Sequence, residues 1–210
     1  MSNKTYVQYG CGLCAPESWI NYDASPTLLI QKIPLLGTVI LSGRDRFPEN
    51  IRYGNIVKGL SLPPSSCDGI YASHVLEHLS LEDFRTALKN TFHLLKPGGI
   101  FRLVVPDLEI AINNYTRSDN SDAAIHFMQQ TSLGLESQKH GIEGFLRSWL
   151  GHSRHLWMWD YKGLYSELDN AGFDLIKRCY FGDCSDTEFN NVEEQERFMD
   201  AVAVESRKPV

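Results

Sequence analysis

The stretch Val7-Gln8-Tyr9-Gly10-Cys11-Gly12 places two glycines directly after a short strand-like run, and three later segments extend this pattern. They are Ile20-Asn21-Tyr22-Asp23, which ends in an acid; Cys67-Asp68-Gly69-Ile70-Tyr71-Ala72-Ser73-His74, which ends in polar residues; and Leu95-Lys96-Pro97-Gly98-Gly99, which closes a helix before another strand. In a parallel sheet, such residues at successive strand ends form one edge of a nucleotide-type pocket. The order of the four segments therefore predicts an α/β fold with a ligand pocket at one sheet edge.

Length and composition narrow the classes of protein that the chain can belong to. A chain of 210 residues with 42% hydrophobic residues fits one domain with a sizeable core. The net charge of −6 gives no basic field to attract phosphate backbones, which argues against a nucleic-acid substrate. The sequence contains neither an apolar run of about 20 residues nor a signal-peptide pattern. We therefore expect a cytoplasmic protein with no nucleic-acid or membrane partner.

Two motifs have the spacing of metal sites. Cys11-Gly12-Leu13-Cys14 resembles half of a zinc or redox site, but Cys11 lies between the two glycines of the turn, where a small residue is needed in any case. His74-Val75-Leu76-Glu77-His78 matches the H-x-x-E-H pattern of inverted zinc proteases. That motif requires both histidines on one helix face, whereas here a strand runs directly into His74. We therefore predict no metal at either motif, and free thiols for the five cysteines.

The spacing between the first two segments predicts an unusual first connection. Gly12 and Asp23 are 11 positions apart with Pro16 between them, which is too short for a crossover helix with its loops. The first crossover helix should therefore be short or absent. Helices are predicted after Ser25, after the capping residue Ser80 and before Gly172, and two final strands are predicted over residues 173–181 and 198–205.

These segments resemble the class I S-adenosylmethionine-dependent methyltransferases, in particular small bacterial members that read roughly GCG…WINxD…HxLEHL…LKPGG…PDL. The resemblance covers residues 5–110 well and residues 160–206 more loosely. It implies a Rossmann-like three-layer sandwich with a seven-stranded, mostly parallel sheet and one antiparallel strand near the C-terminus. It further implies a single methyltransferase domain over residues 1–210, in which residues 107–160 form an inserted helical segment that covers the pocket and selects the acceptor.

The resemblance also implies where S-adenosylmethionine binds. A glycine turn lets a ligand approach the backbone, and Gly10 and Gly12 would hold its amino-acid part. Asp23 would accept hydrogen bonds from the ribose hydroxyls. Asn55-Ile56 stands where the family commonly has an acid followed by an apolar residue at the adenine, and asparagine can still accept from the adenine amino group. The predicted cofactor-binding residues are Tyr9, Gly10, Cys11, Gly12, Asp23, Ala24, Asn55, Ile56, Ser73 and His74.

Candidate catalytic residues follow from the reaction. Methyl transfer from a sulfonium is an in-line displacement, so alignment and desolvation can supply most of the acceleration, and a hydroxyl acceptor also benefits from a base such as histidine. Asp107 can equally be a helix cap, and His155 a packed residue in an aromatic cluster with Trp157 and Trp159, whose flat faces suit a sugar-like ring. The candidates are His74, His152 and His155, with Asp107 as a carboxylate alternative.

We interpret the chain as a methyltransferase that acts on a small-molecule or saccharide acceptor, at oxygen. One alternative is a non-catalytic protein that keeps the fold for binding, which Asn55 and the missing first helix would suit. The other is a nicotinamide-dependent oxidoreductase, which is disfavoured because no phosphate-cradling helix follows the glycine turn.

Overall fold

Seven strands form one sheet in the computed structural model, which describes residues 4–31, 33, 46–135 and 154–210. The strands are β1 (Tyr6–Tyr9), β2 (Ile20–Asp23), β3 (Ile51–Tyr53), β4 (Cys67–Ser73), β5 (Leu95–Pro106), β6 (Asp174–Cys179) and β7 (Ala201–Arg207). Their order is β3-β2-β1-β4-β5-β7-β6, and only β7 runs antiparallel to its neighbours. The predicted fold class is confirmed.

Five helices accompany the sheet in the described residues: α1 (Pro26–Gln31), α2 (Leu81–Leu94), α3 (Leu108–Thr116), α4 (Ala123–Gln130) and α5 (Tyr161–Asn170). Ser80 caps α2 as predicted, since its Oγ accepts a hydrogen bond from the Asp83 backbone N–H at 3.2 Å. The glycines after α2 were expected to close it, but α2 ends at Leu94 and Pro97-Gly98-Gly99 lies within β5. None of the described helices is long and apolar enough to cross a membrane.

One face of the sheet is covered by α2 and α5. Phe84 and Leu88 of α2, and Leu164 and Leu168 of α5, are fully buried. They belong to the same core cluster as the apolar residues of the central strands, including Val7, Ile70 and Phe101. Each such side chain stabilises the fold by about 1.5–3 kcal/mol relative to an exposed one. Packing of α2 and α5 therefore stabilises the sheet, and the sheet in turn holds the strand ends in position.

The opposite face is covered without a crossover helix between β1 and β2. Residues 10–19 form turns rather than a helix, which confirms the predicted absence of the first crossover helix. The segment of residues 180–200, which connects β6 to β7, packs over this face through Phe189, a fully buried side chain. Its ring lies 5.4 Å from the ring of Trp19 and 6.3 Å from that of Tyr71, between ring centroids.

A buried charge cluster attaches this segment to the sheet. Arg102, in the middle of β5, has no exposed surface and forms ion pairs with Glu193 and with Glu205, the latter at 3.1 Å between Nη1 and Oε2. Its Nη2 lies 2.9 Å from Asp183 Oδ1 and donates a 2.6 Å hydrogen bond to the Tyr180 carbonyl. Buried charges are tolerated only when paired in this way. The cluster therefore holds both ends of the connection against β5.

Replacing Arg102 tests this attachment. Arg102→Met leaves Glu193 buried without its cation and removes one of the two cations beside Glu205, so the free energy of unfolding from urea denaturation should fall by about 3–5 kcal/mol. The control is Arg85→Met, which removes the surface ion pair between Arg85 and Glu167 and should change stability much less. Equal losses in the two variants would show that the cluster does not anchor the segment.

Candidate functional site

The turn after β1 depends on two glycines. Gly10 has φ +65° and Gly12 has φ +55°, a region that side chains rarely adopt. A Cβ at Gly10 would also lie 2.0 Å from Cγ2 of Val75, so no side chain fits there. The Gly12 backbone N–H donates to Asp23 Oδ2 at 3.0 Å, and the Cys11 N–H donates to the Tyr22 carbonyl at 3.1 Å. The turn is thereby fixed against the end of β2.

Asp23 organises the backbone around it. Its carboxylate is 4% exposed and accepts a second backbone hydrogen bond, from the Ser25 N–H to Oδ1 at 2.7 Å. Each carboxylate oxygen can accept two hydrogen bonds, so one acceptor position on each oxygen is not used by these contacts. The neighbouring Ala24 is exposed. The Asp23 carboxylate thus holds the backbone of the turn in place and can still accept hydrogen bonds from a ligand at the end of β2.

Asn55 and Ile56 follow the end of β3. The Asn55 Oδ1 accepts a hydrogen bond from the Val57 N–H at 2.8 Å and caps a single 3₁₀ turn, Ile56–Lys58. Ile56 is 4% exposed and packs in the main core. Only a small part of the Ile56 side chain therefore reaches the surface, and its predicted contact with adenine stays a prediction.

A narrow pocket lies between the glycine turn and the end of β4. Gly10, Cys11 and Ser73 line it on the sheet side, and Val192 and Arg197 of segment 180–200 close it from the other side. The Ser73 hydroxyl is buried and finds no hydrogen-bond partner among the described residues. An unpaired buried hydroxyl in a pocket is a natural contact for a polar ligand.

The cysteines beside this pocket are protonated thiols at neutral pH. Burial raises the pKa of Cys11 to about 12 and also raises the pKa of Cys14 above its ordinary value. Neither thiol therefore has the thiolate character that a cysteine nucleophile requires.

His74 stands at the junction between this pocket and a second cleft. It directly follows Ser73 and has φ +53°, an uncommon conformation for a residue with a side chain. Its ring Nε2 lies 2.8 Å from the Arg197 carbonyl, so segment 180–200 also fixes the orientation of the imidazole. The side chain is 27% exposed.

The second cleft has a volume of about 300 Å³ and brings the described catalytic candidates together. His74, Asp107 and His155 all line it, with Met199 and Asp200 of the segment before β7. The Asp107 carboxylate caps α3 by accepting the Glu109 N–H at 2.8 Å, as the alternative interpretation anticipated. His152 lies outside the described residues.

The tryptophans near His155 do not form the expected platform. Trp159 is 4% exposed, and its ring centroid lies 4.2 Å from that of Phe84 in the core. Trp157 is 40% exposed and is not among the residues lining the cleft, whereas Met158 is. The prediction of two flat aromatic faces at the acceptor site is wrong for Trp159, because α2 offers its ring an apolar partner.

Sequence reasoning also missed Val192 and Arg197. Both lie in a polar, acidic connection with no motif of its own. The one available signal is topological: β6 is parallel to the other strands, so the connection from β6 to the antiparallel β7 must begin at the carboxyl edge, where the glycine turn lies.

Comparisons with known proteins agree with this architecture. A family model described as a methyltransferase domain matches residues 14–178. The fold is similar to that of an S-adenosylmethionine-dependent methyltransferase from Archaeoglobus fulgidus, with 19% identity, a TM-score of 0.53, and coverage of 98% of this chain and 86% of that chain. It is also similar to an S-adenosylmethionine-dependent methyltransferase from Thermotoga maritima, described as a possible histamine N-methyltransferase, with 14% identity, a TM-score of 0.53, and coverage of 97% and 82%. No curated protein gives a significant match.

The family match extends over more than half of the chain. It includes the acid at the end of β2, the exit of β4 and the described residues that line the second cleft up to Met158. The family prediction made from the motifs is therefore confirmed. The chain belongs to this methyltransferase-domain family, and it is an S-adenosylmethionine-dependent methyltransferase.

Proposed function

We propose that the enzyme transfers the methyl group of S-adenosylmethionine to a hydroxyl oxygen of a small acceptor, such as a saccharide, bound in the cleft beside His74. The observation that carries this proposal is the adjacency of two pockets. Ser73 lines the pocket at the glycine turn, and the next residue, His74, lines the second cleft. A cofactor whose sulfonium end reaches the first pocket and an acceptor in the second would meet at this point, as an in-line displacement requires.

We assign each residue at the strand ends a role in binding the cofactor from the chemical groups that it presents. The close approach permitted at Gly10 and Gly12 suits the amino-acid part of S-adenosylmethionine. The unused acceptor positions of Asp23 suit the two ribose hydroxyls, and the second lone pair of Asn55 Oδ1 suits the adenine amino group. The unpaired Ser73 hydroxyl adds a contact near the sulfonium end.

The size and lining of the second cleft favour a small hydroxylated acceptor. Its volume of about 300 Å³ lies at the lower end of the range for small-molecule sites. Most of the residues that line it come from the described parts of segment 107–160, including Ile110 of α3, Thr131 after α4 and His155. This supports the assignment of segment 107–160 as the part of the domain that covers the cleft and selects the acceptor.

Two histidines at the cleft suit an oxygen acceptor. A hydroxyl oxygen attacks a methyl group effectively only as its proton is removed, whereas a neutral amine can attack before it loses a proton. A positioned histidine contributes about 10²- to 10⁴-fold to such a step. His155 is 12% exposed and His74 is 27% exposed, so both rings are shielded yet reach the cleft.

Removal of the Asp23 carboxylate tests the cofactor site. Asp23→Ala should weaken S-adenosylhomocysteine binding about 10- to 100-fold in calorimetry, because charge-assisted hydrogen bonds contribute about 1.5–3 kcal/mol. Asp160→Ala is the matched control, since Asp160 also accepts a backbone N–H, but at the start of α5 rather than at the glycine turn. Unchanged affinity in folded Asp23→Ala protein would show that the ribose is held elsewhere.

The position of the transferred methyl group tests the acceptor class. We expect S-adenosylhomocysteine to form when S-adenosylmethionine is mixed with a panel of monosaccharides, nucleotide sugars and other small polyols, and matched amines should be inert. NMR spectroscopy of a product labelled with a ¹³C-methyl group should show an O-methyl signal. A methyl group found on nitrogen or carbon would contradict the oxygen assignment.

Replacement of His155 separates acceptor chemistry from cofactor binding. His155→Ala should leave the Kd for S-adenosylhomocysteine nearly unchanged and lower methyl transfer about 10²- to 10⁴-fold. The control is His93→Ala, because His93 is an exposed residue in the last turn of α2. Loss of cofactor affinity with normal turnover of the bound complex would instead place His155 at the cofactor.

A further inference from the structure

Glu77 carries a buried carboxylate with no hydrogen-bond donor among the described residues. It lies in a 3₁₀ turn, Leu76–His78, directly after the end of β4, and only 1% of its side chain is exposed. Neither Oε1 nor Oε2 accepts a hydrogen bond from any described residue. A buried ionised carboxylate without a partner is among the most costly arrangements in a protein, so a cation close to Glu77 would stabilise its charged form.

Three imidazole rings surround this carboxylate. His74 Nδ1 lies 3.4 Å from Glu77 Oε1, His78 Nε2 lies 3.9 Å from it, and His155 Nε2 also lies 3.9 Å from it. The rings come from the exit of β4, from the 3₁₀ turn and from a segment far along the chain. Three parts of the fold therefore aim ring nitrogens at one oxygen atom.

The hydrogen bonds of His74 and His78 determine which ring atoms carry hydrogen. His78 Nδ1 lies 2.9 Å from the Arg154 carbonyl, and His74 Nε2 lies 2.8 Å from the Arg197 carbonyl. A carbonyl oxygen can only accept, so these nitrogens must donate. When the His78 ring is neutral, its Nε2 presents a lone pair toward the carboxylate. Histidines that bind metals are held as His78 is, with one nitrogen donating to a carbonyl and the other free.

We propose that Glu77, His78 and His155 bind a divalent first-row transition metal ion at the inner wall of the acceptor cleft. Their ligand atoms all lie within 4.8 Å of one another. Donor atoms around a tetrahedral ion with bonds of about 2.0–2.2 Å are roughly 3.3–3.6 Å apart, so the three groups need to move inward by about 1 Å. Two imidazoles and one carboxylate are a donor set that suits Zn²⁺, Mn²⁺, Fe²⁺ or Co²⁺ better than Mg²⁺.

The location gives this ion a role in the chemistry, an extension that rests on the proposed function and in which the ion, held by His155, takes over the activating role given there to the histidine as a base. His155 is the ligand of the three that lines the cleft. Three protein ligands leave the fourth position of a tetrahedral ion for water or an acceptor oxygen. A hydroxyl bound there has a lowered pKa and loses its proton to solvent. Its oxygen then forms the bond to the methyl carbon as the sulfur–carbon bond breaks and the electron pair of that bond returns to sulfur, which leaves S-adenosylhomocysteine.

This proposal replaces the expectation that His74-Val75-Leu76-Glu77-His78 binds no metal. The objection from the sequence was that the strand before His74 prevents both histidines of the motif from sharing a helix face. The structure agrees that there is no such helix, but the third ligand comes from His155, which packs against the motif. Its ring centroid lies 5.0 Å from that of His78.

Direct metal binding tests the site without any methyl acceptor. Tag-free protein stripped with EDTA and dialysed should bind one Co²⁺ per chain in calorimetry, with visible absorption bands typical of nitrogen and oxygen coordination, and Zn²⁺ should displace the Co²⁺. His78→Ala, His155→Ala and Glu77→Gln should each lower the affinity by about 100-fold or more, since even outer-shell changes cost about 10- to 100-fold. His93→Ala should bind as the unaltered protein does.

The outcomes separate this site from the proposed function. Absence of stoichiometric binding by the unaltered chain, or full affinity in His78→Ala and His155→Ala proteins that still bind S-adenosylhomocysteine, overturns the metal site. Metal binding together with methyl transfer to nitrogen supports the site and contradicts the oxygen acceptor. Methyl transfer to oxygen that persists in EDTA with no metal bound supports the oxygen acceptor and overturns the metal's role.

Discussion

The ion cluster around Arg102 is the interaction on which the rest of this structure depends. With no helix between β1 and β2, one face of the sheet has to be covered by another part of the chain. The connection between β6 and β7 covers it, and that connection is rich in acidic residues that would otherwise favour water. Arg102 at the centre of β5 offsets their charge, since it pairs with Asp183 near the start of the segment and Glu193 near its end. Three residues of this polar segment, Phe189, Val192 and Glu193, are thereby buried, while most of the segment stays at the surface.

The same segment builds both pockets. Once Glu193 is fixed on the sheet, its neighbours Val192 and Arg197 reach the glycine turn, and the Arg197 carbonyl meets the ring of His74. Met199 and Asp200 then line the second cleft before β7 begins. The orientation of His74 is therefore coupled to a charge cluster in the middle of the sheet. This coupling explains why a loop without a recognisable motif takes part in the site.

The fold could be predicted from the sequence because its signals are local. The glycine turn, the acid after β2, the Ser80 cap and the short interval between Gly12 and Asp23 each depend on a few adjacent residues. The site was predicted less completely, because its remaining parts meet across long intervals of chain. No sequence pattern near Arg102 predicts that its partner is Glu193. The sequence around Trp159 likewise does not indicate whether its ring packs on Phe84 or faces a ligand. Local sequence patterns therefore predict where the strands end. Contacts between residues far apart in the chain determine which segment covers those strand ends.

Two buried carboxylates, those of Glu205 and Glu77, differ in the partners that the protein provides for their charge. Glu205 is 2% exposed, and although burial alone would raise its pKa, hydrogen bonds from Ser185 and Lys177 hold that pKa below its ordinary value. Glu77 is buried to the same degree, yet the described residues offer it imidazole nitrogens instead of fixed cations or backbone donors. The charge of Glu205 is compensated by groups of the protein itself, as a buried charge with a structural role requires. In the proposed metal site, a cation beside the second carboxylate completes the arrangement, and because His155 lines the second cleft, that cation would take part in the chemistry rather than in the fold.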